Sequence, residues 1–206
     1  MRILTDPLPD QVEIDGASYT INPDYRIMMR FSAASETDET SETDFLRILI
    51  DFFRGSLPPN LEKAVESLCW FASCGKRDKP NKRVSHDLRK QDRGFSFYVD
   101  QGLIYAAFQE AYRIDLSAAH LHWWLFNELL DALPDHVLLM RVIHWRLADL
   151  KKLPKVQREF YRKMKETYAI RKKGAPKTYE EHKQELLSYV QRRFAETKRQ
   201  VMENGS

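Results

Sequence analysis

Asp100–Leu133, DQGLIYAAFQEAYRIDLSAAHLHWWLFNELLDAL, holds two consecutive helical patterns and the densest aromatic content of the chain. In the first pattern Leu103, Ile104, Ala107, Phe108 and Ala111 fall on one face of a 3.6-residue period. Asp115-Leu116-Ser117 then interrupts, and Ser117 is placed to accept from the free amides opening the next helix, with Asp115 favourable at the same start. In that helix Leu121, Trp124, Leu125 and Leu129 share a face, while Trp123, Phe126, Leu130 and Leu133 extend it round the cylinder. A helix this apolar is surrounded by other helices or held against a partner. Trp123 and Trp124 sharpen the choice, because neighbours on a helix point about 100° apart. Either both are core, the commoner outcome, or one lies in a groove that takes an apolar partner.

Working outward toward the amino terminus, Lys76–Arg93 (KRDKPNKRVSHDLRKQDR) is dominated by charged and polar residues, a composition that rarely packs. It is expected to be a mobile basic linker. Before it, Asn60 can cap a helix over Leu61–Ser73, which Gly75 ends, and another helix runs from Thr43 or Asp44 to Gly55. Ser35–Asp44 reads as a flexible acidic loop. Pro23-Asp24 opens a helix through about Ala34, since proline's missing amide costs nothing in a first turn. Gln11–Ile14 and Ser18–Ile21 alternate on either side of Asp15-Gly16-Ala17, a hairpin signal.

Toward the carboxy terminus, Leu133-Pro134-Asp135 turns into a helix over His136–Leu150. Pro154 introduces Lys155–Lys172, with Val156, Phe160, Met164 and Tyr168 at an i, i+4 repeat. Gly174-Ala175-Pro176 breaks it. Thr178-x-x-Glu181 has the form of a capping box and introduces a last helix through about Arg199. The expected organisation is therefore a hairpin with helices over 1–75, the linker over 76–94, an aromatic-rich helical region over 95–153 and a basic helical arm over 154–206. The fold class is mainly α.

Charge is unevenly spread. The net charge is +3, yet residues 1–75 hold six Lys/Arg against thirteen Asp/Glu, and residues 141–199 hold eighteen against seven. Such ends can attract one another within a molecule or between copies. Phosphate binding needs clustered cations, and Arg171-Lys172-Lys173 is such a cluster. The interleaved acids and the clean apolar faces instead favour charged surface helices, so nucleic acid is not the expected partner.

The chemistry-bearing motifs are few. Cys69 and Cys74, the chain's two cysteines, make neither a zinc site nor a disulfide framework. His120 and His122 stand about 200° apart on the expected helix, and His136 and His144 are too far apart to share an ion. His122 is better read as a packed, hydrogen-bonded residue beside the tryptophans. Nucleophile elbows, phosphate loops and dinucleotide fingerprints are missing, and seven glycines leave little for cradling phosphate. No catalytic residue, cofactor or metal is expected. The amino terminus lacks a signal-peptide core, and no stretch approaches the ~20 apolar residues of a membrane span. The chain is expected to be soluble and intracellular, without a membrane partner.

Ile104–Leu116 (IYAAFQEAYRIDL) followed by Leu121–Phe126 (LHWWLF) resembles the central signature of the gene product fifteen proteins of long-tailed bacteriophages. That pattern has an aromatic-rich helix ending in a tyrosine, here Tyr112. Ile114-Asp115-Leu116 follows, then Leu121-His122-Trp123-Trp124-x-Phe126. The Leu-Pro opening, the Asp-Gly turn, a helix carrying Arg26, and Trp70-Phe71 before Cys74-Gly75 are similar too. Arg113 departs, standing where a glycine or small polar residue is expected, and the similarity is traced to about Leu153. The resemblance implies a tail-module protein with no established catalytic activity. Its position between the genes for the major tail protein and the tape measure implies a tail assembly chaperone of the host cytoplasm. The implied partners are the tape-measure protein and the major tail protein, with several copies associating on the tape measure. On this reading Tyr112, His122, Trp123, Trp124 and Phe126 are the candidate partner-binding residues, and Arg171, Lys172 and Lys173 a candidate basic surface. A basic nucleic-acid-binding accessory protein and a permanent structural tail component are the alternatives.

Overall fold

A computed structural model describes residues 4–36, 41–75 and 94–170, together with the single positions 184, 187, 188 and 192. The expected linker over 76–93, most of the expected last helix, and Arg171, Lys172 and Lys173 lie outside these residues. Leu187 within that last stretch is half-buried against the core.

The described residues are mainly helical, with one two-stranded antiparallel hairpin. Strands β1 (Gln11–Ile14) and β2 (Ala17–Thr20) pair in the register Gln11↔Thr20 through Ile14↔Ala17. Asp15 and Gly16 both take positive φ, 52° and 80°, the geometry of a two-residue turn that matches strand twist. Ala17 therefore belongs to the strand rather than the turn. Val12 and Ile14 alternate inward and are buried.

Seven helices follow among the described residues: α1 (Tyr25–Ala34), α2 (Glu42–Phe52), α3 (Leu61–Ala72), α4 (Gln101–Tyr112), α5 (Trp123–Asp131), α6 (Leu138–Leu147) and α7 (Lys155–Thr167). Their starts are chemically marked. The Asp24 carboxylate accepts from Arg26 N at 2.9 Å, and Asn60 accepts from Lys63 N at 3.2 Å as its position predicts. Ser41 and Asp44 form a reciprocal capping box, so α2 begins earlier than expected and takes in part of the acidic stretch.

The start of α5 differs most from expectation. Ser117 does not cap it. Asp115 Oδ1 accepts from both Ser117 N (2.8 Å) and Ser117 Oγ (2.6 Å), so that hydroxyl is spent in a local turn. The chain then forms an isolated antiparallel bridge from His122 to Asp24 before the helix begins at Trp123. Trp123 N donates to Pro23 O (2.8 Å) and Tyr25 N to Leu121 O (3.0 Å). His120 and His122 thus precede the helix instead of lying on it. Likewise α6 starts at Leu138, two residues later than expected, and α7 closes with Tyr168 as its C-cap.

Packing runs β2, β1, α3, α2, α1, α5 in one sequence of neighbours and α4, α6, α7 in another. The two are joined by Phe126 of α5 stacked on Phe108 of α4, centroids 4.9 Å apart. One cluster of buried residues extends from Val12 to Ile143, drawing on both the 1–75 and the 95–153 segments.

Candidate functional site

The tryptophan pair is explained by what lies opposite it. Helix α3 ends at Ala72, leaving its last carbonyls without intrahelical donors. Trp124 Nε1–H donates to Phe71 O and Trp123 Nε1–H to Ala72 O, each at 2.9 Å. Two adjacent indoles, splayed by the helical period, straddle one helix end. Trp124 also packs edge-on to Trp70, centroids 5.4 Å apart. The backbone turns away through Cys74 (φ 55°) and Gly75 (φ 69°), and Gly75 N returns to Trp70 O at 3.0 Å. Gly75 meets two demands here. A Cβ on it would sit 2.9 Å from Trp124 Cη2, closer than real side chains approach.

The other candidate residues serve the same assembly. His122 is the N-cap of α5: its Nδ1 accepts from Trp124 N (3.1 Å), and its Nε2 faces Pro9 O at 3.0 Å. That pairing assigns the proton to Nε2, and burial pushes the imidazole pKa down from its usual value, as a neutral ring requires. Phe126 is fully buried between Tyr25 and Phe108, with Trp123 stacked beside it at 5.6 Å. Tyr112 Oη donates to Leu129 O (2.8 Å), and burial raises its pKa. The structure therefore places Trp123, Trp124 and Phe126 in the interior, with Tyr112 and His122 half-buried beside them. Trp123 (2% exposed), Trp124 (6%) and Phe126 present no surface to a partner in this conformation, which is the core outcome of the two weighed from sequence.

Tyr25 also lines a groove at the surface. Between α1 and α4 runs a groove of about 460 Å³, in which Tyr25, Met29, Phe97, Ile104, Tyr105 and Leu116 share the lining with the polar Arg26, Arg30, Gln101 and Ser117. Tyr105 is 42% exposed, and Tyr98 and Val99, next to Phe97, are about half exposed. Gly102 lines the groove with open space where a Cβ would stand. The walls are held firmly. The Arg26 guanidinium donates to Asp24 and to the carbonyls of Leu116 (3.1 Å), Ser117 (3.2 Å) and Ala119 (2.8 Å), and Tyr25 Oη donates to Leu116 O. Glu36 accepts from Ser96 Oγ and from the amides of Phe97 and Tyr98, fixing the 96–99 turn beside α1. Sequence reading missed the groove, since its lining comes from four separated segments. The one local signal is Tyr105, an aromatic off the apolar face of α4.

A second feature gave no sequence signal beyond an arginine in an apolar helix. Arg146 (8% exposed) makes a bidentate pair with Asp100 (3%) at 2.6 and 2.9 Å. It also donates to Gly94 O and to Tyr168 O, tying the start of α4 and the end of α7 to α6. With each of the three guanidinium nitrogens donating to an acceptor, this is a structural cross-brace.

Among the described residues no group of three or more His, Cys, Asp or Glu side chains converges as metal ligands would, and Cys69 and Cys74 are thiols. No helix among them is long and apolar enough to cross a membrane.

Arg113 closes α4 in the left-handed region, φ 58°, where glycine is favoured, a physical reason for the glycine or small polar residue expected at that position. No curated protein and no solved structure matches the chain. The family model described as Bacteriophage Gp15 protein matches residues 4–170, so the likeness runs past Leu153 and takes in α7. With residues 4–170 of its 206 matched, the chain belongs to the bacteriophage Gp15 protein family.

Proposed function

We propose that this phage protein is a non-enzymatic tail assembly chaperone that shields the tape-measure protein in the host cytoplasm until the major tail protein displaces it. The observation that carries this reading is the α1/α4 groove, a trough whose apolar and aromatic lining is interspersed with Arg26, Arg30, Gln101 and Ser117. Amphipathic helices are bound in troughs of that kind, through residues spaced one turn apart. A tape measure, long and helical with a repeating apolar stripe, offers many such segments. Several copies along it would each bind weakly and hold strongly in sum.

The test is co-expression with the tape-measure protein of the same tail module, scoring soluble yield and co-purification. Gly102→Trp fills the groove at a position with open space, and Tyr105→Glu places a charge in its wall. Wild type is expected to raise the soluble tape measure and elute with it, and both variants to lose it while keeping the wild-type circular dichroism. A tape measure that stays insoluble with wild type, or that co-purifies equally with both variants, overturns the proposal. Trp123→Ala and Trp124→Ala are unsuitable probes, because they remove the clamp on α3 rather than a contact surface.

A further inference from the structure

The helix at the far end of the packing order carries an apolar stripe that is little covered by the described residues. No residue of α7 is buried, and Val156 is 92% and Phe160 50% exposed, with Leu147 at the end of α6 also 45% exposed. The helix is nonetheless firmly based. Tyr168 O accepts from Arg146 (2.6 Å), Lys165 Nζ donates to Ala148 O (2.9 Å), and Trp145 meets both Phe160 and Tyr168. Its polar side is strongly basic: from Lys151 to Thr167 seven Lys/Arg stand against two Asp/Glu.

At the other end of the packing order, the hairpin and α3 form an acidic face. Asp10, Glu13, Asp15, Glu62 and Glu66 are exposed there with Lys63 as the cation among them. Asp15 bonds Lys63 and Asn60, which locks the hairpin turn onto the start of α3 and makes the two elements one surface. Here β1 packs on β2 and α3, and α7 packs on α6, so the two faces belong to separate groups of packed elements.

From this complementarity we propose that α7 of one copy docks on the β1/α3 face of the next, giving a head-to-tail self-association. Unlike patches on one chain make a heterologous contact, which propagates instead of closing as a two-fold dimer does. Opposite charge sets the direction, and the Val156–Phe160 stripe supplies the apolar burial. Nucleic acid is the weaker match for α7. Arg162 is engaged by Glu159, and Arg158 donates to the carbonyls of Leu153 and Lys151, which takes two cations away from phosphate contact.

The experiment needs no tape measure, so its outcome is separate from that of the groove. Sedimentation velocity of the purified full chain is run over a concentration series at about 0.1 M and about 1 M salt, where screening lengths are about 10 and about 3 Å. The expected result is a mass that rises with concentration at low salt and falls back at high salt. Glu13→Lys with Glu66→Lys in one protein, and Lys155→Glu with Lys163→Glu in another, should each remain monomeric, and mixing the two should restore association. Val156→Asp should weaken self-association at least tenfold. A wild type that is monomeric throughout, that associates without regard to salt or charge reversal, or whose α7 variants lose only bound nucleic acid, overturns the proposal.

Discussion

Gly75→Ala probes the joint between α3 and the tryptophan pair. At φ 69° an alanine meets the left-handed penalty of about 1–2 kcal/mol, partly offset by about 0.4–1 kcal/mol from a stiffer unfolded chain. Its Cβ also lands 2.9 Å from Trp124 Cη2 and 3.3 Å from Cζ2. The indole cannot retreat freely, being buried, edge-packed on Trp70 and hydrogen-bonded to Phe71 O. Relief therefore costs the hydrogen bond, about 1 kcal/mol, or overpacking of about 1–3 kcal/mol. The sum is a destabilisation of about 2–4 kcal/mol. In a Trp124→Phe background the two offending ring atoms are gone, and the same Gly75→Ala change should cost only about 1 kcal/mol. Urea denaturation followed by far-UV circular dichroism measures all four proteins of the cycle. A cost below about 0.5 kcal/mol, or an equal cost in both backgrounds, refutes the clamp.

Breaking the buried brace by Arg146→Leu or by Asp100→Leu should destabilise by about 3–5 kcal/mol, and the double variant should lose less than either, as urea melts would report. Arg113→Gly should stabilise by about 0.5–1 kcal/mol, because it relieves a left-handed arginine on an exposed turn; an unchanged midpoint would count against the strain assigned there. His122 gives a pH dependence of fixed sign. Its pKa is lowered in the folded protein by burial, so its contribution is present in full above the unfolded value of about 6.5 and is lost as pH falls through the folded value. His122→Asn keeps a capping acceptor without a titrating ring, and its stability should fall less between neutral and mildly acidic pH than that of wild type. Ser41→Ala should cost about 1 kcal/mol through loss of the capping box on α2, read as a lower thermal midpoint.

Much of the fold is written locally. Asp15-Gly16 takes the two positive φ values that its flanking alternation demands, and Asn60 caps α3 as its position predicts. The period of 3.6 in α4 correctly marks Ile104, Ala107 and Phe108 as buried. What local pattern could not reach is where one segment takes its partners from another. Ser117 looks like a cap until Asp115 claims its hydroxyl, and His122 takes the role because Asp24 pairs with it across nearly a hundred residues. The 100° splay of Trp123 and Trp124 posed the right question about core and groove. Its answer depended on the end of α3, some fifty residues earlier in sequence. The groove was less legible still. Tyr25, Phe97, Tyr105 and Leu116 come around one groove only once the fold brings their four separate segments together.

The most direct test of the proposed role is photo-cross-linking from the groove itself. A photoreactive phenylalanine analogue replaces Tyr105 in the groove wall or, as a control, exposed Glu13 on the hairpin, and each protein is co-expressed with the tape measure. The account predicts an adduct to the tape measure from position 105 and none from position 13. Equal adducts from both positions, or none from position 105 while the tape measure is still held soluble, would contradict it.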